Sequence, residues 1–365
     1  MKPDFTEIVK HFRFEGNFLE AKPHPAGHIN DTYIARFQAD RAAPRYILQR
    51  INHYVFTDPE RLMQNIEAVT AHLRRKIIAA GGDPERETLN LIPTVSGKSF
   101  YETNDGTYWR AYLFVEGAQT YDVVRSLDHV YNAARAFGNF QGLLSDYPAG
   151  QLHETIPDFH HTRKRFETFV EAVEQDVENR ARSVETEIEF VIQRAEDASV
   201  LVDLLEQGKL PERITHNDTK FNNVMIDDET GEGVCVIDLD TVMPGLSLYD
   251  FGDSVRSGAN PAAEDERDLS RVCVDLEIFE RFAHGYLDAA RDFLTPAEID
   301  YLPFSAILMT FECGMRFLTD YLSGDRYFKI HRENHNLDRC RTQFKMVRDM
   351  EEKFDQMVRI IEALR

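Results

Sequence analysis

The chain has 365 residues, 42% of them hydrophobic and 29% charged, an ordinary make-up for a soluble globular protein long enough for roughly two domains of about 150 residues. Its 63 acidic residues against 42 basic ones leave a net charge of −21, which would repel a polyphosphate backbone over most of the surface and makes nucleic acid an unexpected partner. No segment approaches the ~18 uninterrupted apolar residues of a membrane span, and the N-terminal MKPDFTEIVKHF has no signal-peptide h-region, so a cytoplasmic location away from membranes is expected. Cys235, Cys273, Cys313 and Cys340 include no C-x-x-C pair and are expected to be buried reduced thiols.

The first 115 residues are expected to form a small sheet carrying one long helix. FLEAKPH, HINDTYIARF and RYILQRIN read as short strands, and LIPTVSGKSFYETNDGTYWRAYLFVEG as further strands with turn chemistry at Asn104-Asp105-Gly106. Between them, Asp58 offers an N-cap and Pro59 a first helical residue. Leu62, Ile66, Val69, Leu73 and Ile77 then recur at helical spacing, and Gly81-Gly82 stops the chain. From about residue 120 the pattern turns helical, in SLDHVYNAARAFGNFQGLLSDY, TRKRFETFVEAVEQDVENRA, ETEIEFVIQRAEDASVLVDLLEQG, DLEIFERFAHGYLDAARDFL, AILMTFECGMRFLTDYL and the C-terminal TQFKMVRDMEEKFDQMVRIIEAL. Strands first and helices after predict an α+β chain of two lobes, 1–115 and 116–365, joined at YLFVEGAQ.

One stretch departs from the helical pattern: RITHNDTKFNNVMIDDETGEGVCVIDLDTVMPG, expected as loop, strand, loop. Residues 216–223, H-N-D-T-K-F-N-N, fit H-x-D-x-x-x-x-N, the form of a kinase catalytic loop. In that pattern Asp218 is the base, Asn223 offers an amide oxygen to magnesium, and Lys220 neutralises charge on the transferred phosphoryl. Asp238, at the end of the apolar VCVI, supplies the charged metal ligand; Asp240, on the same side if the strand continues, assists or positions it indirectly. Downstream, Asp250-Phe251-Gly252 spells the kinase magnesium motif, but Asp238 already fills that role. Asp250 is expected to be a buried carboxylate bonding loop backbone.

These residues resemble the aminoglycoside phosphotransferase and choline kinase superfamily, small-molecule kinases with a bilobal protein-kinase-like fold. GHINDTYIARF, PRYILQRIN, THNDTKFNNVMID, VIDLDTVMPG, YDFGDSVRSGA, FECGMRFLTDYLSGDRYF and HNLDRCRTQ are similar to its N-acetylhexosamine 1-kinase branch. The resemblance implies ATP and Mg2+ as cofactors and the anomeric hydroxyl of N-acetylglucosamine or N-acetylgalactosamine as acceptor. It implies that the loop with Gly27, His28 and Asn30 covers the nucleotide, that Phe114, Val115 and Glu116 hold adenine by backbone groups, and that Asp218 faces the hydroxyl. By the same resemblance Arg316 and Tyr327 bind the sugar.

The chain departs from the protein-kinase pattern at the phosphate-binding lysine. Where V-A-I-K would stand it reads Tyr46-Ile47-Leu48-Gln49, so a neutral amide faces the helix acid expected near Glu67, with Arg50 or magnesium to supply the missing charge. The glycine-rich loop is reduced to Gly27. Two alternatives stay open on the residues alone: another acceptor, such as choline, homoserine or an aminoglycoside, and a nucleotide-binding pseudokinase.

Overall fold

The structure, a computed structural model, describes residues 3–24, 29–39, 44–121 and 125–365. Gly27 and His28 lie outside the described residues.

After a short helix α1 (Phe5–Ile8), the N-terminal part is a five-stranded antiparallel sheet in the order β1 (Asn17–Pro23), β2 (Asp31–Gln38), β3 (Arg45–Ile51), β5 (Tyr108–Leu113), β4 (Tyr101–Glu102). Alternation along β3 divides its side chains between two faces. Tyr46 and Leu48 join Ala35, Phe37, Trp109 and Ala111 in a small core with Ile8 and Val9. Ile51, with Ile47 packed beside it, instead joins the large core shared with α2 (Pro59–Ala80) and the C-terminal helices. Gln49 falls on this second face. The strand register sets it directly opposite Thr32 on β2 and Arg110 on β5.

Helix α2 starts and stops on the expected residues. The Asp58 side chain accepts from Arg61 N at 3.0 Å, and Gly81 ends the helix in the left-handed region at φ 79°, where a side chain would be strained. The run 91–100 does not form the strand expected of it: only isolated bridges at Leu91 and Thr94 tie it to Tyr112 and Phe12.

In the C-terminal part, α3 (Leu127–Leu144) packs along α8 (Leu276–Ala290), so closely that a Cβ at Gly285 would stand 2.2 Å from Tyr131 O. Helix α10 (Leu302–Leu322) is central, touching α4 (Thr162–Gln175), α7 (Ser247–Gly258), α11 (His335–Glu352) and α12 (Phe354–Leu364). The stretch expected as one helix over 185–208 is two, α5 (Glu185–Ile192) and α6 (Val200–Glu206), and a five-residue α9 (Pro296–Asp300) precedes α10. The C-terminal run also breaks, at Lys353, where φ is −102° and ψ 7°. Two small sheets complete the lobe: β6 (Ala118–Gln119) with β8 (Val224–Asp227) and β9 (Gly233–Val236), and β7 (Arg213–Thr215) with β10 (Met243–Gly245). This α+β arrangement is the expected one, with the antiparallel sheet ahead of a mostly helical part. Of the four thiols, Cys235 and Cys340 are buried, while Cys273 and Cys313 are only half-buried.

Candidate active site

The segment between β7 and β8 carries His216, Asp218, Lys220 and Asn223, and its shape is set by hydrogen bonds from outside it. The Asp250 carboxylate accepts from the backbone N–H of His216 at 2.9 Å and of Asn217 at 2.7 Å, and from Gln141 Nε2 at 2.6 Å. Asp250-Phe251-Gly252 therefore belongs to the buried helix α7, and its carboxylate is occupied with loop backbone. The Asp253 carboxylate, one turn on, accepts from Thr219 N at 3.0 Å. Asn217 adopts the left-handed region at φ 64°, which Asn tolerates better than most residues. His216 donates Nε2–H to Ile237 O at 2.8 Å, leaving Nδ1 to accept from Asp218 N at 3.3 Å, so one tautomer satisfies both contacts.

Asp218 is half-buried, its Oδ1 2.8 Å from Lys220 Nζ. Burial alone would push its carboxyl up. Lys220, by charge and hydrogen bond, with His216 and Arg256, overcomes that and holds it below the usual carboxylate range, which keeps it ionised. Asn223 Nδ2 donates to Asp218 O at 2.7 Å. With its nitrogen thus anchored, the Asn223 amide oxygen is the atom left to act as a ligand.

Strand β9 ends at Val236, and Asp238 stands two residues beyond it at φ 59° and ψ 55°, opening the turn Leu239–Thr241. Among the described residues no hydrogen-bond donor is set against the Asp238 carboxylate. Burial, then the neighbouring Asp240 and Asp218 carboxylates, push it up to about 6. A bound cation reverses that cost. A hard divalent ion fits this pair, one uncommitted carboxylate and one amide oxygen, because magnesium takes few protein ligands and completes its shell with phosphates and water.

The strand geometry does not continue to Asp240. Its Oδ1 and Oδ2 both accept from the Arg110 guanidinium, the Nη2–Oδ2 contact at 2.9 Å, and Oδ2 also accepts from Asn30 Nδ2 at 2.5 Å. The expectation for Gln49 also changes. Gln49 Nε2 donates to Thr32 Oγ1 at 3.0 Å, and Gln49 Oε1 accepts from Arg110 Nε at 3.0 Å, while Glu67 is exposed. Arg50, with magnesium one of two candidates for the missing charge, alternates to the other face of β3 and pairs with Asp31.

At the connection between the lobes, Phe114 N–H donates to Arg45 O at 3.0 Å, Glu116 pairs through its side chain with Arg45, and Glu116 O accepts from Arg86 Nη2 at 3.1 Å. Among the described residues, the Val115 N–H and C=O have no partner. With the Phe114 C=O and the Glu116 N–H, which also have no partner among the described residues, they are the backbone groups open to a ligand there.

Residues 20–297 match the model of the phosphotransferase enzyme family. The chain belongs to that family. Its fold is also that of several solved phosphotransferases. An aminoglycoside phosphotransferase from Alicyclobacillus acidocaldarius superposes with a TM-score of 0.61 at 12% identity, covering 100% of this chain and 97% of the other. A choline kinase from Cryptosporidium parvum gives 0.56 at 14%, over 94% and 92%. A spectinomycin phosphotransferase in complex with AMP gives 0.51 at 14%, over 98% and 97%.

In this phosphotransferase a second group of residues meets the 216–223 segment at Asn217. Glu312 on α10 is buried, with Oε1 2.7 Å from His160 Nδ1 and Oε2 accepting from Thr162 Oγ1 at 2.6 Å. His160 Nε2 lies 3.0 Å from Asn217 O, so α10 supports the catalytic-loop backbone through one imidazole. One turn beyond Glu312, the Arg316 guanidinium lies 5.0 Å from the Phe159 ring centroid and 5.9 Å from that of Tyr327. Tyr327 is 56% exposed, yet its backbone is fixed, because the Asp320 carboxylate accepts from the N–H groups of Arg326, Tyr327 and Phe328 at 2.8 to 2.9 Å. Sequence reading missed Arg110, His160, Glu312 and Asp320. Arg110 alone left a signal, a cation inside the otherwise apolar YWRAYL.

Proposed function

We propose that this phosphotransferase moves the γ-phosphoryl of ATP to the anomeric 1-hydroxyl of an N-acetylhexosamine, giving the sugar 1-phosphate and ADP, in the cytoplasm. The observation that carries the reaction class is the pairing of an ionised Asp218 beside Lys220 with an uncommitted Asp238 and the Asn223 amide oxygen. A base, a cation for the transferred group and two oxygen ligands for magnesium are the parts phosphoryl transfer requires.

Val115 offers its unpaired N–H and C=O to adenine, between Phe114 and Glu116, and Asn30 belongs to the loop that would cover the nucleotide. Asn223 and Asp238 hold magnesium, and Asp240 steadies them indirectly. Held there by Asn223 and Asp238, magnesium would supply positive charge to offset that of the phosphates. The 1-hydroxyl oxygen attacks Pγ and gives its proton to Asp218 as the bond from Pγ to the β,γ-bridging oxygen breaks, while Lys220 neutralises charge on the moving phosphoryl. The anomeric hydroxyl is more acidic than an ordinary alcohol, so a carboxylate is a sufficient base.

Support for a sugar comes from Arg316 and the exposed Tyr327, a guanidinium and a ring held 5.9 Å apart on a fixed backbone, with Arg316 one turn from the Glu312 that reaches Asn217 through His160. Such a pair suits a flat-faced, polyhydroxylated acceptor bearing a carbonyl. Product identification after incubation with N-acetylglucosamine and ATP–magnesium tests the reading, with phosphate expected on carbon 1. Phosphorylation of choline without any hexosamine 1-phosphate would refute it.

A further inference from the structure

We propose that Arg110 is the positioning cation of this cleft, replacing the lysine that kinases of this fold carry on β3, and that it aims Asp238 through Asp240 without touching the nucleotide. The inference rests on the reading of Asp238 as the metal carboxylate. Arg110 is 1% exposed, and its guanidinium is enclosed by the two Asp240 oxygens, Gln49 Oε1 at 3.0 Å and Met63 Sδ at 4.0 Å. A group so enclosed cannot reach a phosphate. Both members of the kinase lysine–glutamate pair have instead moved: the cation from β3 to β5, and the acid from the helix to the turn after β9. Met63 on α2 now lies where an acid could have faced the cation.

This relocation accounts for Gln49. A lysine there would set a second cation beside Arg110 and could not accept its Nε–H, whereas the amide accepts from Arg110 and donates to Thr32.

It also shows what the pair holds. The turn that begins at Asp238 is tied to the C-terminal lobe by Thr241, whose Oγ1 donates to His216 O at 2.7 Å and whose carbonyl accepts from Asn217 Nδ2 at 2.9 Å. It is tied to the N-terminal lobe by Arg110, by Asn30 on Asp240, and by Asn65 Nδ2 on Val242 O at 3.1 Å. A two-pronged guanidinium fixes the direction of a carboxylate as a point charge cannot. With both Asp240 oxygens engaged, the turn can present Asp238 in one orientation.

The test uses the full chain, with nucleotide binding titrated against Mg2+, turnover with N-acetylglucosamine, and thermal unfolding. Arg110→Lys keeps the buried charge but loses the fork. It is expected to stay folded, to need more Mg2+ for nucleotide binding, and to lose turnover by about tenfold or more. The double variant Arg110→Met with Asp240→Asn removes both buried charges together. It is expected to unfold near the wild-type temperature while turnover falls about a hundredfold. Wild-type Mg2+ dependence and turnover in Arg110→Lys, or in a folded double variant, would overturn the proposal and leave the pair a structural bridge. Asp238→Asn separates the two claims: if Mg2+-dependent nucleotide binding survives it, the metal-site reading fails, whatever the Arg110 variants show.

Discussion

Glu312 Oε1 stands 2.7 Å from His160 Nδ1 in the interior of the C-terminal lobe, and the other nitrogen of the same ring faces the Asn217 carbonyl. A carboxylate on α10 thus reaches Asn217, the residue before the proposed base Asp218, through one side chain. Because Glu312 is enclosed, it must keep its partners: burial raises its carboxyl, and the His160 and Arg316 charges with the Thr162 hydroxyl bring it below its ordinary value.

Glu312→Ala leaves His160 and Thr162 without their acceptor in a dry site, a loss expected to cost about 3–5 kcal/mol in denaturant unfolding. Turnover should fall with it, by about tenfold or more, because the base rides on the backbone that His160 supports. The nucleotide KM should change little, since none of Glu312, His160 and Thr162 is among the residues proposed to hold ATP or magnesium. A variant with wild-type unfolding midpoint and turnover would show that the chain from α10 to the loop does nothing.

Asp250 gives a sharper discrimination, because its sequence context imitates a metal motif. Replacing it by Asn turns one acceptor toward the N–H groups of His216 and Asn217 into a donor. Each buried N–H left unmet costs about 1–3 kcal/mol, so Asp250→Asn should lower stability by that order and reduce turnover without altering the Mg2+ concentration for half-maximal rate. A shifted Mg2+ requirement with unchanged stability would instead make Asp250 a metal ligand.

What could be read ahead of the structure, and what could not, follows from how far apart the interacting residues lie. Asp218, Lys220 and Asn223 share one short loop, so their spacing alone carries the chemistry. The capped helix α2 was visible for the same reason: Asp58, Pro59 and Gly81 act locally. Arg110 and Asp240 are 130 positions apart, and their meeting depends on the register that sets Gln49 opposite Arg110. No local pattern encodes that register. Helix α7 was hidden for a different reason. It is buried on nearly every side, and its polar residues Asp250, Asp253 and Ser254 bond to the catalytic loop, so it shows no apolar stripe with a wet opposite face. The breaks at 193–199 and at Lys353 fall in runs with no Gly or Pro to mark them.

The Arg86–Asp227 pair, 2.8 Å apart, links the segment after α2 to strand β8. Arg86, and then the backbone N–H groups of Thr230 and Glu229, hold the Asp227 carboxyl well below the usual carboxylate range. A depressed folded value means that the unfolded chain binds the proton more readily. The stabilisation is therefore present in full above the unfolded value of roughly 4 and is lost as pH falls from there toward the folded value. Asp227→Asn should be less stable than wild type at neutral pH, and the two unfolding midpoints should draw together as pH falls below about 4. Midpoints that stay parallel over that window would mean the pair contributes nothing across it.

Asp218→Asn keeps the size of the side chain and removes its capacity to take a proton. Lys220 loses its partner at 2.8 Å but is partly exposed, so water can replace it and the loss of stability should be small, about 1 kcal/mol or less. The metal ligands and the Val115 backbone groups are untouched, so ATP–magnesium should bind with wild-type affinity. Turnover should fall by about a hundredfold to ten-thousandfold, the range for removing a positioned general base. The split between intact binding and lost turnover is what distinguishes a base from a residue that shapes the loop: damage to the loop would weaken nucleotide binding through Asn223 as well. Turnover that survives Asp218→Asn would remove the base assignment and, with it, the mechanism built on this residue.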